Sequence, residues 1–123
     1  MSTNPTWEKF QRASIALASC GAIKDRLADA YRNHLCGVAE DDLPKELRAE
    51  FREFCQTLTR ERPVIRGEDA FRATVRKMSS EEAEIIARAV VQMFGALPRG
   101  FAAQRSKPAA SMAQVVPLYI AEA

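Results

Sequence analysis

The side chains of this chain that could do chemistry are few and widely spaced. His34 is the only histidine, and the three cysteines are Cys20, Cys36 and Cys55. A histidine acts as a general base or a metal ligand when a nucleophile or further ligands accompany it. Because no serine or cysteine nucleophile pairs with His34 by motif, we favour a partly buried imidazole that interacts with a helix C-terminus.

A metal site built from cysteine and histidine fails on spacing. A structural zinc ion needs four converging ligands, and the sequence contains no Cys-x-x-Cys pair. Cys20 and His34 would lie about 21 Å apart on one helix at a rise of ~1.5 Å per residue. Cys20 and Cys55 are therefore interpreted as small buried hydrophobic residues, and we expect neither a metal nor a cofactor.

The sequence also lacks the motifs of a calcium-binding loop and of a nucleotide-binding loop. The acidic run 40–42 lacks the alternating ligands, the glycine and the distal glutamate of an EF-hand loop, and is typical of a helix N-terminus. The five glycines form neither a dinucleotide-binding loop nor a Walker loop. We therefore expect no enzymatic activity, and an enzyme that uses His34 is the third-ranked alternative.

Composition and charge describe an ordinary globular chain. Its 123 residues are 47% hydrophobic and 28% charged, with a net charge of +2, which disfavours a protein that mainly neutralises phosphates. No basic region followed by an apolar core stands near the N-terminus, and the longest uncharged run of the predicted bundle, 13–23, is too short to span a bilayer. We expect a cytoplasmic protein with reduced thiols and no membrane partner.

Apolar residues recur at helical spacing along most of the chain and predict an all-α fold. We expect a single-domain, up-and-down bundle at residues 1–97, followed by an irregular tail at 98–123 that is rich in Ala, Ser, Pro and Gly. The bundle is predicted to contain about five helices, near residues 5–18, 21–37, 43–61, 68–78 and 80–96.

The ends of these helices carry capping signals. Asn4 is a good N-cap before Pro5, and Asp42 is the predicted N-cap of the third helix. Ser79 and Glu82 have the spacing of a capping box.

The first apolar stripe leaves two alternatives open. An unbroken helix over residues 5–36 would be about 48 Å long and would leave Trp7 and Phe10 in need of a partner chain. We favour a break near residues 19–21, because Gly21 costs about 1 kcal/mol in a helix interior.

The last apolar stripe is predicted to end early. Its buried residues are expected to include Ile85 and Ile86, and Gly95 with Pro98 is expected to end the helix.

A cluster of arginines is the first candidate interaction site. It would dock a phosphate, a nucleic acid or an acidic protein surface. The alternative is a solvated face on which Arg72 pairs with Glu68 and Asp69, although exposed pairs contribute only about 0.3–0.5 kcal/mol each. The cluster consists of Arg60, Arg62, Arg66, Arg72 and Arg76.

An apolar cluster in the tail is the second candidate interaction site. It either folds back on the bundle or inserts into a neighbouring chain or partner groove, and the alternative is an end of the chain without a role. The cluster consists of Val115, Val116, Leu118, Tyr119 and Ile120.

We expect a small non-catalytic protein that acts in protein–protein interaction or regulation through the arginines, the tail or both. Its partner is a protein of unknown identity, and a homodimer is a further option. The alternative is a nucleic-acid-binding accessory protein. A helix-turn-helix over 71–94 is disfavoured, because its recognition helix would present Glu81, Glu82 and Glu84 to DNA.

Overall fold

The computed structural model describes residues 4–111 and contains five α-helices and no strand within that range. A π-helical turn, Tyr31–Leu35, continues the second helix, and a 3-10 turn, Glu40–Asp42, precedes the third. The predicted all-α bundle is confirmed. The helices are α1 (Pro5–Leu17), α2 (Ile23–Ala30), α3 (Lys45–Leu58), α4 (Ala70–Lys77) and α5 (Ser80–Ser111).

The long helix α5 packs against α1, α2 and α3, and α4 packs against α3. The apolar residues that recur at helical spacing are buried at these contacts, except Ile85, which was expected to be buried and is 64% exposed. The buried residues are Leu47, Phe51, Phe54 and Leu58 of α3 and Ile86, Val90, Met93 and Leu97 of α5. Successive residues of a helix are about 100° apart around its axis, so Ile85 falls outside the face that buries Ile86 and Val90. None of the described helices is long and apolar enough to cross a membrane.

The break after the first helix is confirmed. α1 ends at Leu17, and Gly21 adopts φ +116°, a region that favours glycine because it has no Cβ. The Arg26 guanidinium then donates to the carbonyl oxygens of Leu17 (2.6 Å) and Gly21 (2.9 Å). The bond to Leu17 satisfies a carbonyl group that the end of α1 leaves without a donor, and the bond to Gly21 holds the turn that follows. Together they fix the corner between α1 and α2.

The residues around this corner are placed within one chain. Phe10 is fully buried, and the ring of Trp7 lies 5.5 Å from the ring of Phe94 on α5, so neither aromatic depends on a partner chain. Cys20 is exposed, and its predicted burial is wrong, because it lies in the turn between the helices and not on a helix face.

The N-caps of α1 and α5 form as predicted. Asn4 accepts from the backbone N–H of Thr6 at 2.9 Å, and the Ser79 hydroxyl accepts from the N–H of Glu82 at 3.0 Å. Of the two contacts of the capping box predicted at Ser79, only the one accepted by the Ser79 hydroxyl forms. The Glu82 carboxylate, which would make the other, binds Arg60 instead.

The start of α3 differs from the prediction. Asp42 does not cap α3, because it lies in the preceding 3-10 turn and accepts from the N–H of Ala39 at 3.3 Å. Pro44 occupies the N-cap position, and α3 begins at Lys45.

The predicted helix end at residue 96 does not hold, because α5 continues through Pro98 to Ser111. An interior proline costs about 3 kcal/mol. Leu97 is fully buried and Phe101 packs against the core, and full burial of such a side chain contributes about 1.5–3 kcal/mol. The two contacts offset the proline, so the boundary expected between bundle and tail falls inside α5.

The continued part of α5 also contacts the start of α3. A Cβ at Gly100 would lie 2.6 Å from Pro44 Cβ, so only glycine allows these segments to approach so closely. Gln104 Oε1 accepts from the backbone N–H of Lys45 at 3.2 Å. α5 is therefore anchored to α3 beyond the residue where its composition predicts an end.

Candidate functional site

The structure divides the five candidate arginines into two groups. Arg60 and Arg76 are engaged in ion pairs: Arg60 Nη2 lies 2.8 Å from Glu82 Oε1, and Arg76 Nε lies 2.8 Å from Glu68 Oε2. Hydrogen bonds from these arginines hold the pKa of Glu82 and of Glu68 below its usual value. Both pairs serve the fold, since they tie the segment between α3 and α4 to its neighbours.

The second group consists of three arginines whose guanidinium groups are unpaired among the described residues. Arg62, Arg66 and Arg72 are exposed, and none of their guanidinium groups has an ion-pair or hydrogen-bond partner among residues 4–104. Arg62 and Arg66 lie on the same short segment between α3 and α4, whereas Arg72 lies on α4 itself. Two of the three unpaired arginines, Arg62 and Arg66, therefore stand on the same loop.

The ion pairs expected for Arg72 do not form. Glu68 binds Arg76 instead, and Asp69 binds Arg32 of α2 at 3.1 Å. Asp69 is the N-cap of α4 and accepts from the backbone N–H of Arg72 at 2.8 Å, which fixes its carboxylate at the start of the helix. This backbone bond, followed by the contact with Arg32, holds the pKa of Asp69 below its usual value.

The loop between α3 and α4, residues 59–69, is called the connector here. Val64 is 73% exposed and Ile65 is 52% exposed, and Arg62 and Arg66 flank them. We call these four side chains the connector surface. Large aliphatic side chains that stand next to each other in water are a feature of contact sites.

The acidic residues of the connector do not neutralise this surface. Glu61 lies 3.4 Å from Lys77 and 3.7 Å from Arg60, and the other two acids, Glu68 and Asp69, bind Arg76 and Arg32. Every carboxylate of the connector is therefore paired, and the charge left over is the positive charge of the connector surface.

The connector has a defined path. The backbone N–H of Glu61 donates to the hydroxyl of the fully buried Thr74 at 3.0 Å, and the N–H of Glu68 donates to the carbonyl of Ile65 at 3.0 Å. Gly67 supplies φ +83° at the turn into α4. The exposed aliphatic pair thus stands on a loop held at both ends.

The residues considered for catalysis do not form a cluster within residues 4–111. His34 is half-buried in the π-helical turn and has no hydrogen-bond or ion-pair partner in that range. The Cys36 thiol donates to the carbonyl of Arg32 at 3.0 Å, and burial raises the pKa of the Cys55 thiol. No group of His, Cys, Asp or Glu in the described part of the chain could hold a metal ion.

The chain was compared with protein-family models, with curated proteins and with solved structures. No match was found. What the protein does must therefore be inferred from its own surface.

Sequence reasoning missed two features of this region. It treated Val64 and Ile65 as part of a plain connector, although two aliphatic residues between Pro63 and Gly67 have no helical neighbours to bury them. It also missed Arg32, whose guanidinium carbon lies 5.0 Å from the centre of a phenylalanine ring on α4. The apolar tail cluster, from Val115 to Ile120, lies outside the described residues.

Proposed function

We propose that this chain is a small non-catalytic cytoplasmic protein that binds another protein through the connector surface. The observation that carries the proposal is the exposed pair Val64 and Ile65 between two unpaired arginines, Arg62 and Arg66. Three free thiols suit the reducing environment of the cytoplasm.

The chemistry of the connector surface defines its partner. Two aliphatic side chains fit a shallow apolar pocket, and uncommitted guanidinium groups fit carboxylates at the rim of that pocket. Arginine forms planar two-point contacts with carboxylates, so an acidic protein surface complements Arg62 and Arg66. We therefore expect a partner with an apolar pocket bordered by Asp or Glu.

The held path of the connector favours binding. A loop that is disordered before binding loses conformational freedom when it docks, and this loss weakens the complex. Here the Arg60–Glu82 and Arg76–Glu68 pairs fix the ends of the connector before any partner arrives. The paired arginines thus stabilise the fold of the connector, whereas the unpaired arginines are available to bind a partner.

The proposal is tested by quantitative pull-down with the full chain as bait. We expect a protein that is retained by the wild type and lost from the double variant Arg62→Glu/Arg66→Glu. Arg12→Glu is the matched control, because Arg12 is exposed on α1 and has no partner among the described residues. The control should retain the same protein, and circular dichroism should show the same helix content in all three chains.

Two outcomes would overturn the proposal. Equal capture by the wild type and by both variants would exclude the connector surface. Tight binding of labelled nucleic acid that weakens steeply with salt, together with no protein that depends on Arg62 and Arg66, would favour the nucleic-acid-binding alternative.

A further inference from the structure

A groove of about 480 Å³ runs between α2 and α4 and is separate from the connector surface. The two helices are antiparallel, because Lys24 at the start of α2 donates to the carbonyl of Arg76 at the end of α4 (3.1 Å), whereas Arg32 binds Asp69 at the start of α4. These polar contacts bridge the groove at both ends and leave its middle open.

The floor of the groove is apolar. Ala28 of α2 and Phe71 and Val75 of α4 line it. The Phe71 side chain is 6% exposed, because its ring packs against the Tyr31 ring, 4.6 Å away, and the Arg32 guanidinium lies over it at 5.0 Å. A volume of this size is usual for sites that bind small organic molecules, and the remaining lining residues are polar or charged.

The α4 side of the groove is cationic. Arg72 lies there and has no partner for its guanidinium group among residues 4–104, and Arg76 stands one turn further along the same helix. On the α2 side, Asp25 and Asp29 are balanced by Lys24 and Arg32, so the net positive charge of the lining lies on α4. A ligand with one negative charge is attracted by Arg72, whereas a polyanion would also meet these carboxylates.

We propose that the α2–α4 groove binds a small organic monoanion with an apolar body, of the class of medium-chain carboxylates. The carboxylate lies beside Arg72, and the apolar body lies on Ala28, Phe71 and Val75. The site is distinct from the proposed protein–protein contact, because none of the four side chains of the connector surface lines the groove.

The probe is octanoate, titrated into the ¹⁵N-labelled full chain and followed by amide chemical shifts. We expect saturable shifts confined to α2 and α4. Affinity should rise about three- to fourfold for each methylene added between hexanoate and decanoate, because each buries further apolar area. Octylammonium, of equal chain length and opposite charge, should bind at least tenfold more weakly.

Two variants locate the site. Arg72→Gln should weaken octanoate binding at least tenfold, because one charge-assisted hydrogen bond is lost. Ala28→Leu, which fills the floor, should abolish it, and Arg12→Gln should leave it unchanged. Arg72 is exposed on the helix surface, so its variant keeps the fold even if Ala28→Leu does not.

Three results would overturn the proposal. One is a set of shifts that does not saturate or that centres away from α2 and α4. Another is equal binding of octanoate and octylammonium. The third is self-association of the protein through the same residues, seen as a concentration-dependent mass by light scattering, because a second copy would then be the occupant of the groove.

Discussion

Two segments of this chain carry the glycine and proline residues that usually end helices, and they behave in opposite ways. The connector contains Pro63 and Gly67 and is irregular and exposed. The later part of α5 contains Pro98 and Gly100 and is helical. Composition alone predicts an irregular structure for both segments.

The difference lies in what the apolar side chains of each segment contact. Leu97 is fully buried and Phe101 packs against the core, so the helix that carries them is stabilised by tertiary contacts. Val64 and Ile65 have no such cover. Packing therefore decides whether a helix continues through a proline, and the exposed pair of the connector is not part of the hydrophobic core.

The largest expected difference is between two truncations of aliphatic side chains. Leu97→Ala should lower the free energy of unfolding by about 2–5 kcal/mol, because it leaves a cavity in the core. Val64→Ala should change it by less than about 0.5 kcal/mol, because the side chain is exposed. Urea unfolding of the two variants measures both values. A loss above about 1 kcal/mol for Val64→Ala would show that the connector is part of the core and would remove the contrast.

A smaller difference is expected between two identical substitutions on α5. Gly95→Ala should raise the free energy of unfolding by about 0.5–1 kcal/mol, because nothing lies within 4 Å of the new Cβ and alanine favours the helix. Gly100→Ala should lower it by about 1–3 kcal/mol, because the new Cβ would clash with the rigid ring of Pro44. Thermal or urea unfolding gives the sign directly. If both substitutions stabilise the protein equally, α5 does not pack on Pro44.

The features that follow from local sequence patterns were predicted. The helical periodicity of the apolar residues, the caps at Asn4 and Ser79 and the break near Gly21 each depend on residues within a few positions of one another. Periodicity shows which face of a helix is buried, and a capping side chain bonds to a backbone group two or three residues away. These features therefore leave a direct trace in the sequence.

The features that depend on distant residues could not be predicted. The continuation of α5 depends on Pro44, which lies more than fifty residues away in the sequence. The Asp69 carboxylate pairs with the guanidinium of Arg32 and not with that of Arg72, because the fold brings the end of α2 beside the start of α4. In the candidate site, the types of residue were identified, but the division between paired Arg60 and unpaired Arg62 depends on tertiary contacts.

The most direct test of the connector surface is hydrogen–deuterium exchange of the full chain, alone and with the partner that the Arg12→Glu control retains. Amides of residues 62–67 should exchange rapidly in the free protein, because only the two ends of the connector are held by hydrogen bonds. They should be protected in the complex, while those of α1 remain unchanged. Unchanged exchange at residues 62–67, with protection elsewhere, would contradict the assignment of Arg62, Val64, Ile65 and Arg66 as the docking surface.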